Sequence, residues 1–381
     1  MDEKNLNVVK NFSATCDEAK VIVDSLINLG NVAATKYYAN SGMFGDKYEM
    51  KESEYKEQNQ QMTKALLGFA AEKSGLDFLN INTKEGLMRA FSMGGQFETI
   101  YNSIIVEAIG GIIANANPTA LLNLANIETV GVGDSLTIEI EPKGLPIAQR
   151  NSYMSNVTLL EGVTKQAITI TPKVYSTGVQ MDYMRILSGT FDWGREVAKV
   201  AMSLLYAQYK LVAGLIFSST LVTGTPFYAS AFSGDAVVTM ISDLEAVNGG
   251  APVKAYGTLP AFNAAGAIAT TNYGFETQDE MIRNGYLGHA FGIDNIALPQ
   301  ATDLSVPFLS AAKPILLPND MIVLLSDVGS KPVTLVRENY VAVVTKEANE
   351  GSLRKVHYSY FMAFDAAIAT AANYGVIAIG S

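Results

Sequence analysis

The residues able to do chemistry are few and scattered. The 381-residue chain holds two histidines, His289 and His357, and one cysteine, Cys16. Structural zinc sites draw four ligands from Cys and His, so this inventory is too short for the common ones. His289 stands in the glycine-rich stretch GYLGHAFG and His357 in the alternating run RKVHYSY; both read as structural or exposed histidines rather than bases. Glu139 and Glu141 lie two apart, which puts both carboxylates on one face of a strand, as a general acid and base would need. The plainer reading is a strand face turned to solvent or to a partner. Gly131 and Gly133 in GVGDSL lack the third glycine of a dinucleotide loop and precede a strand, so they read as turns that open a hairpin. G-x-S-x-G, H-E-x-x-H and phosphate-loop patterns do not occur. The expectation is a protein that is not an enzyme, with no cofactor and no metal.

The elements that would position such residues are more informative. Leu136, Ile138 and Ile140 alternate with Thr137, Glu139 and Glu141, and Ile168 and Ile170 answer from a second arm against Thr169 and Thr171. This is the period of two that marks half-buried strands. More than twenty residues separate the arms, with Pro142, Gly144 and Pro146 near the start, too long for a tight turn. A two-stranded ribbon is marginal in water, so its apolar face needs another surface, and a neighbouring subunit would supply it. Burying Leu136, Ile138, Ile140, Ile168 and Ile170 there would contribute on the order of 10 kcal/mol gross, at about 2 per side chain, much of it offset by association entropy.

A long amphipathic helix follows. Val197, Val200, Ala201, Leu204, Leu205, Leu211, Val212, Leu215 and Ile216 recur at steps of three and four. Thr190 or Asp192 is placed to cap its start.

Length predicts roughly two to three compact units. One cysteine excludes an internal disulfide framework and fits a reducing compartment. A net charge of −10 argues against a basic groove wrapped on nucleic acid, because such binding draws on clustered Lys and Arg. The opening MDEKNLNVVKNF lacks the basic patch and apolar run of a secretory signal. The longest uncharged run, Leu211 to Gly234, is broken by Ser, Thr, Gly and Pro, so no membrane span is expected.

Residues 1–75 are richer in charge than the rest. Thr15 and Glu18 have capping-box spacing ahead of Val21, Val23, Leu26, Ile27 and Leu29, with Gly30 as a stop. A second helical stretch, residues 51–75, is charged first and apolar later, at Met62, Leu66, Leu67 and Phe69. The two read either as an arm lying on something else or as a helical hairpin packed on the main body. Phe97, Ile100, Tyr101, Ile104, Ile105, Ala108 and Ile109 mark another helix, ended by Gly110 and Gly111. Val237, Val238, Ile241 and Leu244 mark one more. A strand at VKAYGTL and a helix opened by Pro260 follow, then turns at Gly285, Gly288 and Gly292. The end is β-rich: MIVLLS, KPVTLVRE, YVAVVTKE, VHYSYFMAF and YGVIAIG, the middle three separated by turn-length polar segments. The class is α+β.

This order of parts resembles the HK97-fold major capsid proteins of tailed bacteriophages. The resemblance covers residues 100–381 and rests on that order and three soft signatures: Pro172-Lys173 leading to the long helix, RNGYLGHAFGIDNIAL, and PILLPNDMIVLLS. It implies an HK97-like fold with an N-terminal helical arm (1–75), lead-in helices of the peripheral domain (76–126), an extended β-hairpin loop (127–178), a peripheral domain with a spine helix (179–230), an axial domain (231–330) and a β-rich return to the peripheral domain (331–381).

The implied function is a structural one, self-assembly into homo-pentamers and homo-hexamers of an icosahedral shell around double-stranded DNA. Implied partners are copies of itself, a scaffold, a portal and the packaged DNA, without sequence-specific binding or a membrane. The implied location is the virion, assembled in the bacterial host cytoplasm. The inter-subunit residues would be Leu136, Ile138, Ile140, Lys143, Leu145, Arg150, Lys165, Ile168 and Ile170, and the spine packing residues Val197, Leu204, Leu211 and Leu215. Some members of that family lock their shells through a loop lysine and a neighbour's asparagine. Lys143 and Lys165 lie in the matching loop, but the sequence singles out no asparagine. An encapsulin-like nanocompartment shell on the same fold is an alternative reading. An α+β enzyme with an unrecognised site is another, and would need clustered titratable groups in a pocket.

Overall fold

The computed structural model describes residues 16–38, 50–76, 96–115, 124–140, 166–182, 190–218, 223–269, 283–300, 315–326, 331–347, 355–368 and 373–379, with isolated positions between them. Helices α1 (Asp17–Tyr38), α2 (Glu52–Ser74) and α3 (Gln96–Asn115) come first, and α4 (Trp193–Ile216) follows the hairpin. Helices α3 and α4 pack on a four-stranded sheet of β1 (Ala125–Val130), β4 (Lys173–Asp182), β10 (Val333–Glu347) and β11 (Lys355–Ile368), in the order β1-β10-β11-β4, and α1 and α2 pack on those two helices. Only the β1–β10 pair is parallel.

Three glycines read as helix stops lie inside helices. Helix α1 continues through Gly30, and α3 through Gly110 and Gly111. A Cβ on Gly30 would strike Ile112 Cδ1 of α3, and one on Gly111 would strike Ile27 Cδ1 of α1. Gly30 and Gly111 are thus each a notch for the other helix's isoleucine, and packing at the crossing outweighs the helix-weakening effect of roughly 1 kcal/mol per glycine. Gly75 does end α2: it is left-handed at φ 71°, and Leu76 N–H reaches Ala71 O at 2.9 Å.

Helix α3 is long and apolar enough to cross a membrane by composition alone. Its apolar residues are used internally, since Phe97, Tyr101, Ile104, Ile105, Ala108, Ile109, Ile112 and Ile113 are all buried in the main core. Trp193 is the centre of that core, fully buried, with Tyr101 edge-on at 5.7 Å and Phe191 edge-on at 4.7 Å.

The second unit is a six-stranded sheet, ordered β5-β12-β9-β6-β8-β7. Its members are β5 (Tyr228–Ala229), β6 (Val253–Thr258), β7 (His289–Ala290), β8 (Ile293–Leu298), β9 (Met321–Ser326) and β12 (Gly375–Ala378). One face, with Val253, Ala255, Ile322, Leu324 and Ile377, is covered by α5 (Gly234–Val247) and α6 (Leu259–Ala269). The alternate residues Tyr256, Val323, Leu325 and Val376 join the main core instead, so both faces of the sheet are used.

Three readings change here. Val238 is 51% exposed, and Met240 takes its place beside Val237, Ile241 and Leu244. KPVTLVRE and YVAVVTKE form one strand, β10, whose register slips between Arg337 and Val341, so the polar residues between them are a bulge and not a turn. The last strand, β12, pairs with β9 and lies in the second sheet, although residues 331–381 were assigned as a block to the first. Asn248 and Asn373 fix that return with two reciprocal hydrogen bonds of 2.9 Å.

Candidate assembly surface

The chain leaves the four-stranded sheet after Val130, turns through residues 131–135 and forms a hairpin of β2 (Leu136–Ile140) and β3 (Gln166–Ile170). It rejoins that sheet at Lys173. What departs is therefore narrower than 127–178, because 127–130 and 173–178 are bonded into β1 and β4. The hairpin is a separate two-stranded sheet, hydrogen-bonded to neither of the larger ones. Its register is Leu136–Ile170, Thr137–Thr169, Ile138–Ile168, Glu139–Ala167 and Ile140–Gln166, which gathers the apolar residues on one face as the alternation requires. The other face is exposed at Thr137, Glu139, Ala167 and Thr169, where the two threonine hydroxyls meet at 3.1 Å.

The apolar face is not bare. Ile170 is buried, and Leu136, Ile138 and Ile168 are partly covered within the chain, in part by their own cross-strand partners. Full burial of five side chains against a neighbour is thus too large a sum. The three partly covered residues have roughly 1 kcal/mol each left to gain, on the order of 3 kcal/mol in all. The side chain of Ile140, and Lys143, Leu145, Arg150 and Lys165 entirely, lie outside the described residues.

The hairpin's base is anchored. Gly133, at φ 80°, donates its N–H to Glu338 Oε1 at 2.9 Å, and Asp134 N–H reaches Gly131 O at 3.2 Å. The GVGD glycines do open the hairpin, as a turn tied to β10.

At the other end the spine helix α4 is set by Asp192, whose carboxylate accepts the N–H of Arg195 at 3.0 Å; of the two candidate caps, Asp192 is the one used. Val197 and Leu204 are buried, and Leu211 and Leu215 are partly buried against the core. Sequence reasoning missed the polar residues that fasten α2 to this helix. Asn59 donates from Nδ2 to Phe191 O at 2.5 Å and accepts the N–H of Trp193 at Oδ1, 2.9 Å. Thr63 accepts the indole N–H at 3.0 Å, and the Tyr55 hydroxyl donates to Asp192 Oδ1 at 2.5 Å. Burial, then the bond to Asp192, drives the Tyr55 pKa well upward. Gly194, one residue into α4, lies against the backbone of Leu29 in α1, where any Cβ would collide. The signal was present in the helical spacing of Tyr55, Asn59, Met62, Thr63 and Leu66, obscured by the polar side chains.

The chemistry-bearing residues do not converge. His289 is exposed and faces Asp294 at 3.1 Å across the β7–β8 turn; His357 lies on β11 opposite Gln180. Cys16 is free, just ahead of α1. No group of three metal-ligating side chains occurs among the described residues. A cavity of about 40 Å³ between α5, α6 and the second sheet is lined chiefly by apolar residues such as Phe232, Phe262, Phe291 and Ile293.

The architecture is α+β, with a helix-covered, mostly antiparallel sheet, a hairpin that forms a sheet of its own, and a second sheet-and-helix unit. Residues 92–225, from the start of α3 through the hairpin and past the spine helix, match the family model described as "SPbeta prophage-derived putative capsid protein YonB". This match bears out the resemblance to phage capsid proteins drawn from the order of elements. Among solved structures, the chain is similar to the asymmetric unit of the bacteriophage PhiM1 mature capsid, with 12% identity, 68% of this chain and 86% of that one covered, and a TM-score of 0.41. It is also similar to a structure from Microbacterium phage Oxtober96, with 13% identity, coverage of 68% and 90%, and a TM-score of 0.44. A third is the holo-SrpI encapsulin complex from Synechococcus elongatus, with 14% identity, coverage of 69% and 87%, and a TM-score of 0.39. No curated protein matches the chain by sequence.

Proposed function

We propose that this chain is the major capsid protein of a tailed phage, assembling as homo-pentamers and homo-hexamers into an icosahedral shell around double-stranded DNA. The observation that carries the reading is the capsid-family match over residues 92–225, which spans both the free hairpin and the spine helix that follows it. The physical argument runs alongside. A two-stranded ribbon has too little of its own to be stable in water, and an edge-rich apolar element is an aggregation hazard for a monomer but a defined contact when a symmetric copy covers it. Each contact of a few kcal/mol is modest, and closure of a shell multiplies it. In this reading Leu136, Ile138, Ile140 and Ile168 meet the neighbour through the hairpin face, while Ile170 stays buried within its own chain, with Lys143, Leu145, Arg150 and Lys165 on the loop between the arms. The second sheet and helices α5 and α6 form the unit that gathers at the symmetry axes. Scaffold and portal act in assembly, in the cytoplasm of a bacterial host. The test is the mass of the purified full chain by sedimentation velocity with negative-stain imaging: capsomers or megadalton shells are expected, and a stable monomer at tens of micromolar, roughly the range where weak interfaces already assemble, would overturn the proposal.

A further inference from the structure

Arg337 lies where β10 slips its register. It pairs with Phe364 of β11 on one side and Thr129 of β1 on the other, and the next aligned pair beyond it is Val341–Met362. Its neighbour Glu338 is already committed, holding the N–H of Gly133 in the turn that opens the hairpin. Arg337 is half-buried beside a fully buried Phe364, and among the described residues no carboxylate or hydrogen-bond acceptor meets it. Burial alone draws its guanidinium pKa down, and no charged group acts on it in either direction. Lys173, by contrast, has Asp365 at 2.9 Å in the same sheet, and Lys73 has Glu18 at 3.3 Å. Taking an unpaired charge out of water is costly. A methionine would fill much the same space without that cost.

We infer that Arg337 is the anchor for a carboxylate of a second copy of this chain, docked at the root of the hairpin. This rests on the shell-forming reading. The occupant follows from charge and shape. The chain carries 37 acidic residues against 27 basic ones, so a copy presents anions in excess. A guanidinium set singly in a sheet suits one planar carboxylate through two parallel N–H···O bonds, whereas a phosphate backbone is gripped by clustered cations. Val132, 49% exposed in the turn that Glu338 holds, and the partly covered Leu136 after it give the incoming copy apolar ground at the same root. A neighbour docked in the wrong register leaves Arg337 bare, which makes the site a device for choosing the right contact as well as strengthening it.

The experiment compares wild type, Arg337→Met and Arg337→Lys as full-length, nuclease-treated protein. Urea unfolding of unassembled subunits and the concentration needed for assembly, read by sedimentation velocity, are measured side by side. Arg337→Met is expected to unfold at the wild-type midpoint or above it, yet to need about tenfold or more protein to assemble. Arg337→Lys keeps the charge without the fork and falls between the two. Added salt weakens wild-type assembly more than that of Arg337→Met. Arg337→Met assembling at the wild-type concentration, or losing subunit stability together with assembly, would overturn the inference. A dependence on Arg337 that appears only when DNA is added would give the guanidinium to phosphate and overturn it as well. Wild-type protein that never assembles removes the shell reading itself, a failure visible before any variant is compared.

Discussion

Gln208 and Tyr209, midway along α4, show how much a single polar side chain can cost in this core. Gln208 is fully buried; its Nε2 touches Met362 Sδ at 3.5 Å, and its Oε1 has no partner among the described residues. The Tyr209 hydroxyl is also buried without a partner, and burial pushes its pKa up to about 12. A carbonyl stripped of water and left unbonded costs about 1–3 kcal/mol. Gln208→Leu, of similar size, is therefore expected to stabilise the subunit by roughly 1 kcal/mol, seen as a higher urea midpoint with an unchanged slope. A loss of stability would mean that the amide has a partner in the assembled or solution state. Position 208 falls on the apolar stripe between Leu204 and Val212, and its burial follows from the helical period once residue type is set aside. Reading the stripe by residue type alone passed over it.

Among the elements, the join between α2 and α4 decides whether the first helices belong to the body. Asn59 satisfies one carbonyl and one helix-terminal N–H, and the Trp193 indole N–H donates to Thr63 in the same join. Asn59→Ala is expected to cost about 2–4 kcal/mol by orphaning both groups. Hydrogen exchange should quicken in the first turn of α4 and along residues 52–74 while the second sheet stays protected. Unchanged stability and exchange would show that α2 is only loosely attached. Much of this level was legible in the sequence. The long helix with its aspartate cap, the helix from 52 to 74, the hairpin alternation and the final buried strand all follow from local period and capping chemistry. The failures share a cause, dependence on a partner far along the chain. Gly30 and Gly111 look like stops because a notch for Ile112 or Ile27 leaves no local trace. The bulge in β10 resembles a turn because the continuous β11 alongside it is invisible to a local window, and the sheet joined by β12 is chosen by β9, some fifty residues earlier.

For the whole molecule, the two large sheets share a core. Tyr256, Val323, Leu325 and Val376 of the second sheet are continuous with the cluster around Trp193, while the hairpin belongs to neither buried cluster. The subunit is thus a firm body carrying one element whose apolar face is only partly sheltered. The location of that face was readable from alternation; its partial cover within the chain was not, because cross-strand shielding depends on the register. In the proposed shell a second copy completes the cover of the hairpin. Hydroxyl-radical footprinting by mass spectrometry, comparing assembled particles with dissociated subunits, reads this directly at Leu136, Ile138 and Ile168. Oxidation of these three side chains is expected to fall severalfold on assembly, while that of Val238, 51% exposed on α5, serves as the comparison within the same molecule. Equal oxidation of Leu136, Ile138 and Ile168 in both states would contradict it.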